Sequence, residues 1–167
     1  GRTEGALRLV GALWRFWWAG AKGDGVDIVR MALRGRGGTA DHRARAMVAG
    51  ALAAASRLDF PAAVDLAGQA VAEADGPGAR AFAHCWLGWA LAIVCHPDTG
   101  IHLEQAATLA AEVGDVRTVA DARNAEAYVA MRAGEPVDAL AIAREVLALT
   151  ATTGNQITRC HALTTAA

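Results

Sequence analysis

Residues 78–95, GARAFAHCWLGWALAIVC, decide the fold class of this chain. The large apolar side chains of this segment recur every three or four residues, the spacing of one helical face: Phe82, Trp86, Trp89 and Ile93. Stretches that contain Gly and Pro, at 75–78 and 96–100, end the segment on both sides. Residues 81–97 carry no charge but number only 17, fewer than the roughly 20 that cross a bilayer. We therefore expect a buried helix of a soluble, cytoplasmic protein with no membrane contact.

The same pattern of apolar periodicity between Gly- and Pro-containing breaks continues along the whole chain. It predicts helices over residues 3–20, 25–35, 39–57, 60–75, 78–95, 100–113, 116–133, 136–153 and 156–167. Ala, the residue with the highest helix propensity, accounts for 42 of the 167 residues, whereas aromatic residues make up only 5%. β-Branched residues do not cluster as strands require. The prediction is an all-α fold in one domain that spans residues 1–167.

Composition excludes several classes of protein. With 54% hydrophobic residues, the chain buries enough surface to fold, so full disorder is excluded. A net charge of −1, from 16 basic and 17 acidic residues, lacks the basic excess typical of direct nucleic-acid binding. Three Cys are too few for a disulfide framework, which favours the reducing cytoplasm.

The predicted helices repeat with a period of 37–40 residues. Arg80-Ala81-Phe82-Ala83 lies 37 residues after Arg43-Ala44-Arg45-Ala46, and Thr158 lies 40 residues after Thr118. Two helices per period are typical of an α-solenoid, so we predict about four antiparallel helical hairpins plus a terminal helix.

Small residues lie where paired helices must cross. Ala51, Gly88 and Ala127 occupy the middle of the first helices. The second helices carry four alanines for the reciprocal face: Ala63, Ala67, Ala139 and Ala143. A larger side chain at such a crossing pushes the helices apart at a cost of about 1–3 kcal/mol.

Two stretches carry a resemblance to known families. Leu58-Asp59-Phe60-Pro61-Ala62-Ala63 resembles the turn of a tetratricopeptide hairpin, which implies a right-handed superhelix. ALRLVGALWRFWWA at 6–19 and LEQAATLAAEVGD at 103–115 resemble the repeat regions of LuxR-type and related signal-transduction ATPase regulators of bacteria, the class of the maltose activator. The stretch at 26–31, VDIVRM, departs from the Arg-Arg-Trp-Leu-Glu segment of that family.

The resemblance implies that the chain is a fragment excised from a longer regulator. Nucleotide-binding and DNA-binding domains would then be its neighbours in the parent protein, because no phosphate-binding loop occurs here and Lys22 is the only Lys. The implied function is non-enzymatic: protein interaction or effector sensing by a repeat domain of a transcriptional regulator. Two alternatives stay open, a free-standing scaffold that binds a partner peptide and, less favoured, a small helical enzyme.

In tetratricopeptide-like stacks the first helices line a concave groove, and the residue after each small crossing residue points into it. By resemblance these positions are Leu52, Trp89 and Tyr128, and a less certain first hairpin adds Arg15 and Trp18. Asn124 and Arg132 lie one turn to either side of Tyr128. Aromatic and Arg side chains are typical of surfaces that recognise a protein segment or a planar effector. Trp89 is equally compatible with the buried stripe of its own helix.

The remaining candidate clusters are better explained by packing than by ligand binding, metal binding or catalysis. Three tryptophans share one face of the first helix: Trp14, Trp17 and Trp18. This face is either an aromatic wall for a ligand or, as we prefer, an apolar face that is buried in the core. If the chain is a fragment, the face could be exposed, which would favour a homodimer. His84 and Cys95 are 11 residues apart, roughly 16 Å along one helix, so they share no ion. We predict no metal site, no cofactor and no catalytic residues.

Overall fold

The computed structural model describes residues 1–18, 25–151 and 153–166, and it places them in ten α-helices joined by short turns. The helices are α1 Arg2–Ala12, α2 Trp14–Trp18, α3 Gly25–Arg34, α4 Ala40–Ala55, α5 Phe60–Glu73, α6 Pro77–Ile93, α7 Thr99–Glu112, α8 Val116–Ala133, α9 Pro136–Thr150 and α10 Gln156–Ala166. These residues contain no strand, which confirms the predicted all-α class. The predicted helical positions 19–20, 152 and 167 lie outside the described residues.

The observed helix bounds differ from the predicted ones chiefly at the N-terminus. The predicted helix over 3–20 is divided at Leu13, whose φ of −84° and ψ of 10° end α1. The carbonyl of Leu13 then accepts hydrogen bonds from the N–H groups of Phe16 and Trp17, at 2.9 and 3.2 Å, and starts α2. Both segments pack on α4, so the turn allows two short helices to share one neighbour.

The ends of α4, α6 and α8 repeat one turn geometry. A residue in the left-handed conformation follows each helix: Leu58 (φ 63°), Cys95 (φ 57°) and Gly134 (φ 79°), at spacings of 37 and 39 residues. The next residue in each turn donates its N–H, at 3.0 Å, to a carbonyl of the last helical turn: Asp59 to Ala54, His96 to Leu91 and Glu135 to Ala130. This closure satisfies carbonyls that the helix end leaves without partners. The end of α7 closes in the same way, through Gly114 (φ 68°) and the N–H of Asp115, which donates to the carbonyl of Ala110 at 2.8 Å.

The helices pack with their neighbours in the sequence, and α4, α6, α8 and α10 also contact one another in series. The central apolar cluster joins Met47, Val48 and Leu52 of α4 to Phe82 and Trp86 of α6. A second cluster buries α1, α2 and α3 against α4 and includes four large side chains: Leu7, Val10, Trp17 and Val29. Packing thus proceeds from pair to pair along the chain.

The apolar helix α6 lies in the middle of this packing. It contacts α4, α5, α7 and α8, which cover most of its uncharged surface. Within the described ranges, none of the helices combines the length and the hydrophobicity needed to span a membrane.

The helices α6 and α7 are in close contact at Gly88. A Cβ atom added to Gly88 would lie 2.5 Å from Cδ2 and 2.8 Å from Cγ of Leu103, which is only 1% exposed. The predicted crossing residues of the other pairs are buried as well: Ala51, Ala63, Ala67, Ala127, Ala139 and Ala143. Close contact of helices at small residues therefore sets the spacing of the pairs.

We expect Gly88→Ala to lower the free energy of unfolding by about 1–3 kcal/mol, because its methyl group would overlap the buried Leu103. The matched control is Gly68→Ala in the middle of α5, where an added Cβ meets no atom within 4 Å. Gly68→Ala should stabilise the chain by up to about 1 kcal/mol through helix propensity alone. Urea unfolding of both variants measures the difference, and equal stabilisation by the two would contradict the close approach.

Candidate functional site

A cavity of about 310 Å³ lies between α6, α8 and α10. Its lining is mostly apolar and aromatic: Trp89, Asn124, Tyr128, Met131, His161, Thr164 and Thr165. The ring centroids of Trp89 and Tyr128 are 5.7 Å apart at an interplanar angle of 34°, and the His161 ring lies 6.5 Å from Trp89. Three helices thus bring aromatic rings to one wall, as in small-molecule sites.

Helix α8 supplies one face of the site because its residues 121, 124, 128 and 132 recur at helical spacing. Asn124 is only 3% exposed, and its Oδ1 has no hydrogen-bond partner among the described residues. Buried polar atoms nearly always have partners, so this oxygen is an exception in the described part of the structure.

Arg132 lies at the rim of this cavity and ties the end of α8 to the end of α6. Its Nη1 donates to the hydroxyl of Tyr128 at 3.1 Å and to the carbonyl of Ile93 at 3.4 Å. Its Nη2 donates to Sγ of Cys95 at 3.2 Å. These contacts hold the Tyr128 ring in place from the solvent side.

A buried polar network adjoins the inner end of the cavity and centres on Asp121, which is 6% exposed. Its Oδ1 accepts hydrogen bonds from Nδ2 of Asn155, at 3.1 Å, and from the hydroxyl of Thr158. Its backbone carbonyl accepts from Nε1 of Trp89 at 3.1 Å. Asp121 therefore connects α8 to α6 and to the start of α10.

Arg15 extends the network to the N-terminal helices. Its Nη1 donates to Oδ1 of Asn155 at 2.8 Å, across 140 positions of sequence, and its guanidinium lies 4.4 Å from the ring centroid of Trp14. Asn155 thus bridges Arg15 and Asp121. Burial lowers the pKa of Arg15 and raises the pKa of Asp121, so for both groups desolvation outweighs their mutual attraction.

The predicted groove residues occupy three different environments. The structure brings Trp89, Asn124 and Tyr128 together at the cavity, with Arg132 at its rim and Arg15 in the adjoining network. Leu52 is 3% exposed and packs in the central cluster. The side chain of Trp18 lies outside the described part of the structure.

The tryptophans of α2 contribute to packing. Trp17 is 6% exposed in the N-terminal cluster. Trp14 is partly buried and lies 5.6 Å from the Phe82 ring and 5.0 Å from the Trp86 ring. Both described rings therefore join α2 to the core.

Sequence reasoning missed Asp121, Met131, His161, Thr164 and Thr165. A signal for two of them was present in the period. Thr165 follows Tyr128 by 37 positions and continues the series of residues 52, 89 and 128, and His161 precedes Thr165 by four positions, as Asn124 precedes Tyr128. Asp121 carried no such signal, since an acidic residue in a helix is usually solvated.

A histidine pair lies outside the cavity, between α6 and α7. Nδ1 of His84 and Nδ1 of His102 are 2.9 Å apart, so one ring donates and the other accepts. Burial, then His102 and Arg80, lower the pKa of His84 to about 4, which keeps the ring neutral at pH 7. Among the described residues, no group of three or more His, Cys, Asp or Glu is arranged to hold a metal ion.

Two other depressions are lined by a mixture of charged and aliphatic side chains. One, of about 390 Å³, lies between α3 and α5 beside Arg30, Arg34 and Asp65. Another, of about 290 Å³, lies near Asp27, Arg57 and Asp59. Neither has an aromatic wall, so the cavity between α6, α8 and α10 is the stronger candidate site.

We expect Asp121→Asn to change the pH dependence of stability. The pKa of Asp121 is higher in the folded chain than in the unfolded chain, so ionisation of its carboxyl group favours unfolding. The protonated carboxyl group stabilises the folded chain at low pH, and this stabilisation is lost as pH rises from about 4, the pKa of an unfolded Asp, toward the folded pKa. The amide introduced by the substitution keeps an acceptor oxygen for Asn155 and Thr158 but does not ionise. The unfolding free energy of the variant, relative to the parent, should therefore increase from pH 4 to pH 7.

Urea unfolding at several pH values measures this difference. Glu104→Gln, on the exposed side of α7, controls for the loss of one negative charge. A relative stability of Asp121→Asn that falls with pH would show that the network favours the ionised carboxylate.

The chain matches no protein-family model, and no curated protein is significantly similar to it in sequence. The resemblance to repeat regions of ATPase-type regulators therefore stays a prediction. Functional inference depends on the geometry of the cavity and of the adjoining network.

Proposed function

We propose that the chain is a non-catalytic effector-sensing domain that binds a small molecule in the cavity between α6, α8 and α10. The observation that carries the proposal is the meeting of three rings at the cavity: Trp89 lies 5.7 Å from Tyr128 and 6.5 Å from His161, measured between ring centroids. At about 310 Å³, the cavity is near the lower end of the 300–1,000 Å³ typical of ligand pockets. This size favours a small effector over a peptide segment.

The proposal includes a tetratricopeptide-like α-solenoid with a right-handed superhelix. Its support is the serial contacts of α4, α6, α8 and α10, each of which also packs against its neighbour in the sequence. In such an arrangement the cavity lies on the side of the first helices, where the sequence pattern predicted a groove.

The adjoining polar network connects the cavity to the packing of α2, α8 and α10. Trp89, Asn124 and His161 line both the cavity and the small space of about 10 Å³ beside Arg15 and Asp121. A ligand that contacts these side chains favours one arrangement of α2, α8 and α10 over others. In a bacterial transcriptional regulator, that preference would be passed to neighbouring nucleotide-binding and DNA-binding domains.

The environments of two possible nucleophiles, Ser56 and Cys85, agree with a non-catalytic role. The hydroxyl of Ser56, the only Ser, donates to the carbonyl of Ala53 at 2.8 Å. Cys85 is fully buried, and burial raises the pKa of its thiol well above the usual value, which keeps it protonated. These two groups are therefore not activated for covalent catalysis.

Blocking the cavity tests the proposal. Thr164→Trp places a large ring at the cavity wall, whereas Leu163→Trp adds the same ring at an exposed position of α10 outside it. Four probes cover the ligand classes: indole, benzoate, glucose and N-acetyl-tryptophanamide, the last as a stand-in for a peptide segment. We expect at least one small-molecule probe to raise the melting temperature of the parent chain and of Leu163→Trp, but not of Thr164→Trp.

Each outcome separates the candidate functions. A shift caused by N-acetyl-tryptophanamide alone would favour the peptide-binding scaffold. A shift that persists in Thr164→Trp would place binding elsewhere on the chain. No shift with any probe would overturn effector sensing in this cavity.

A further inference from the structure

We infer that His84 and His102 form a chelating site for a divalent transition-metal ion of the Ni²⁺ and Cu²⁺ class. The ion binds through Nδ1 of both rings, and water fills its remaining positions. This site lies between α6 and α7 and is independent of the cavity and of its proposed ligand. Three observations support it: the spacing of the two nitrogen atoms, the close packing of the helices that carry them, and the partial exposure of both rings.

The two Nδ1 atoms have the separation of neighbouring ligands on a metal ion. They lie 2.9 Å apart. Imidazole nitrogens bind such ions at about 2.0–2.1 Å, so two nitrogens at right angles on one ion are about 2.9 Å apart. Two nitrogens at the tetrahedral angle would be about 3.3 Å apart. The observed separation therefore favours tetragonal and octahedral ions over the tetrahedral geometry of Zn²⁺.

The packing of α6 against α7 holds the two rings in this position. His84 lies one turn before Gly88 on α6, and His102 directly precedes Leu103 on α7. Because Gly88 and Leu103 are in close contact, the backbone segments that carry the two histidines are fixed relative to each other. A site whose ligands are already in place loses little conformational entropy when the metal binds.

The exposure and the protonation state of the pair suit metal binding. Both histidines are partly exposed, as a site that is completed by water ligands requires. Burial lowers the pKa of both rings, so near pH 7 they are neutral and lose no proton to become ligands. Without metal, one Nδ1 donates to the other. When the metal binds, the proton on the donating Nδ1 moves through solvent to Nε2 of the same ring, and both rings stay neutral.

The surrounding groups limit the site to two protein ligands. Arg80 lies near His84, and both His96 and Asp98 lie near His102. Asp98 attracts a cation and Arg80 repels one, so the two charges oppose each other. In the described part of the chain, no three or more His, Cys, Asp or Glu side chains are arranged around one ion. We therefore expect weaker binding than at sites with three or four protein ligands.

Titration of the parent chain with Ni²⁺ tests the inference. Ni²⁺ is the probe because Cu²⁺ also promotes oxidation of exposed thiols, which the chain has at Cys95 and Cys160. Isothermal titration calorimetry should show one Ni²⁺ ion per chain, and the ion should raise the melting temperature. Mg²⁺, which prefers oxygen ligands, should do neither.

Variants assign the binding to the two rings. His84→Gln and His102→Gln should each weaken Ni²⁺ binding about tenfold or more, because one imidazole alone lacks the advantage of two linked ligands. His42→Gln, on α4, is the matched control, and the double variant Cys95→Ser/Cys160→Ser controls for binding by thiols. Both controls should bind Ni²⁺ as the parent chain does. Circular dichroism checks that each variant is helical.

A measurement on the parent chain does not depend on the folding of any variant. Nitrogen NMR of the chain labelled in histidine should show that Ni²⁺ affects two of the five imidazole rings. An effect on one ring alone, or an equal effect on all five, would overturn the inference.

The other contrary results are equally direct. Unchanged affinity in folded His84→Gln or His102→Gln would show that the ion binds elsewhere, as would loss of binding in either control. A parent chain that binds no Ni²⁺ has no such site, and this result would leave the proposed function of the cavity unaffected.

Discussion

The structure depends on how closely its helices approach one another at small residues. Gly88 lies directly against Leu103, and buried alanines occupy the crossings of the other pairs. Helices whose contact residues have almost no side chain come close together, which leaves little room for large residues between them. The bulky rings are accordingly concentrated where α2, α6 and α8 meet, with Phe82, Trp86 and Trp89 in successive contact with their neighbours. The cavity lies at the end of this aromatic series, where α10 contributes the His161 ring and the shorter side chains of Thr164 and Thr165.

Beside the cavity, the carboxyl group of Asp121 is buried, which costs free energy when the group is ionised. Asp121 loses more through burial than it gains from Arg15, as the raised pKa of Asp121 shows. Buried polar networks of this kind contribute little net stability, but they allow only arrangements in which every partner is present. Here the partners come from α2, α8 and the start of α10. The network therefore joins α2, α8 and the start of α10 next to the candidate site.

The sequence was sufficient for the helices and for part of the site. Periodicity and breaker residues predicted α3 to α10 closely, because glycines, prolines and capping acids such as Asp59 and Asp115 act locally. The turn at Leu13 was not predicted, since it reflects packing on α4 rather than a local breaker. Trp89 and Tyr128 were predicted as groove residues because each follows a small crossing residue of the repeat, and Asn124 because it lies one turn from Tyr128. Asp121 and the His84–His102 pair were missed because their chemistry arises from partners 18 to 37 positions away, which periodicity does not reveal.

The helix α10 supplies His161, Thr164 and Thr165 to the cavity, and it packs chiefly against α8 and α9. Asn155 and His161 add contacts with Arg15 and with the ring of Trp89. A molecule in which α10 has detached has no cavity, so docking of this helix and binding of a ligand are linked equilibria. A ligand at concentration [L] shifts the docking equilibrium by a free energy of RT ln(1 + [L]/Kd), and the docked fraction in turn scales the apparent affinity. A ligand in the cavity therefore strengthens the docking of α10 onto the preceding helices. Amide hydrogen exchange in α10 should slow when the cavity is occupied, because exchange requires the helix to open.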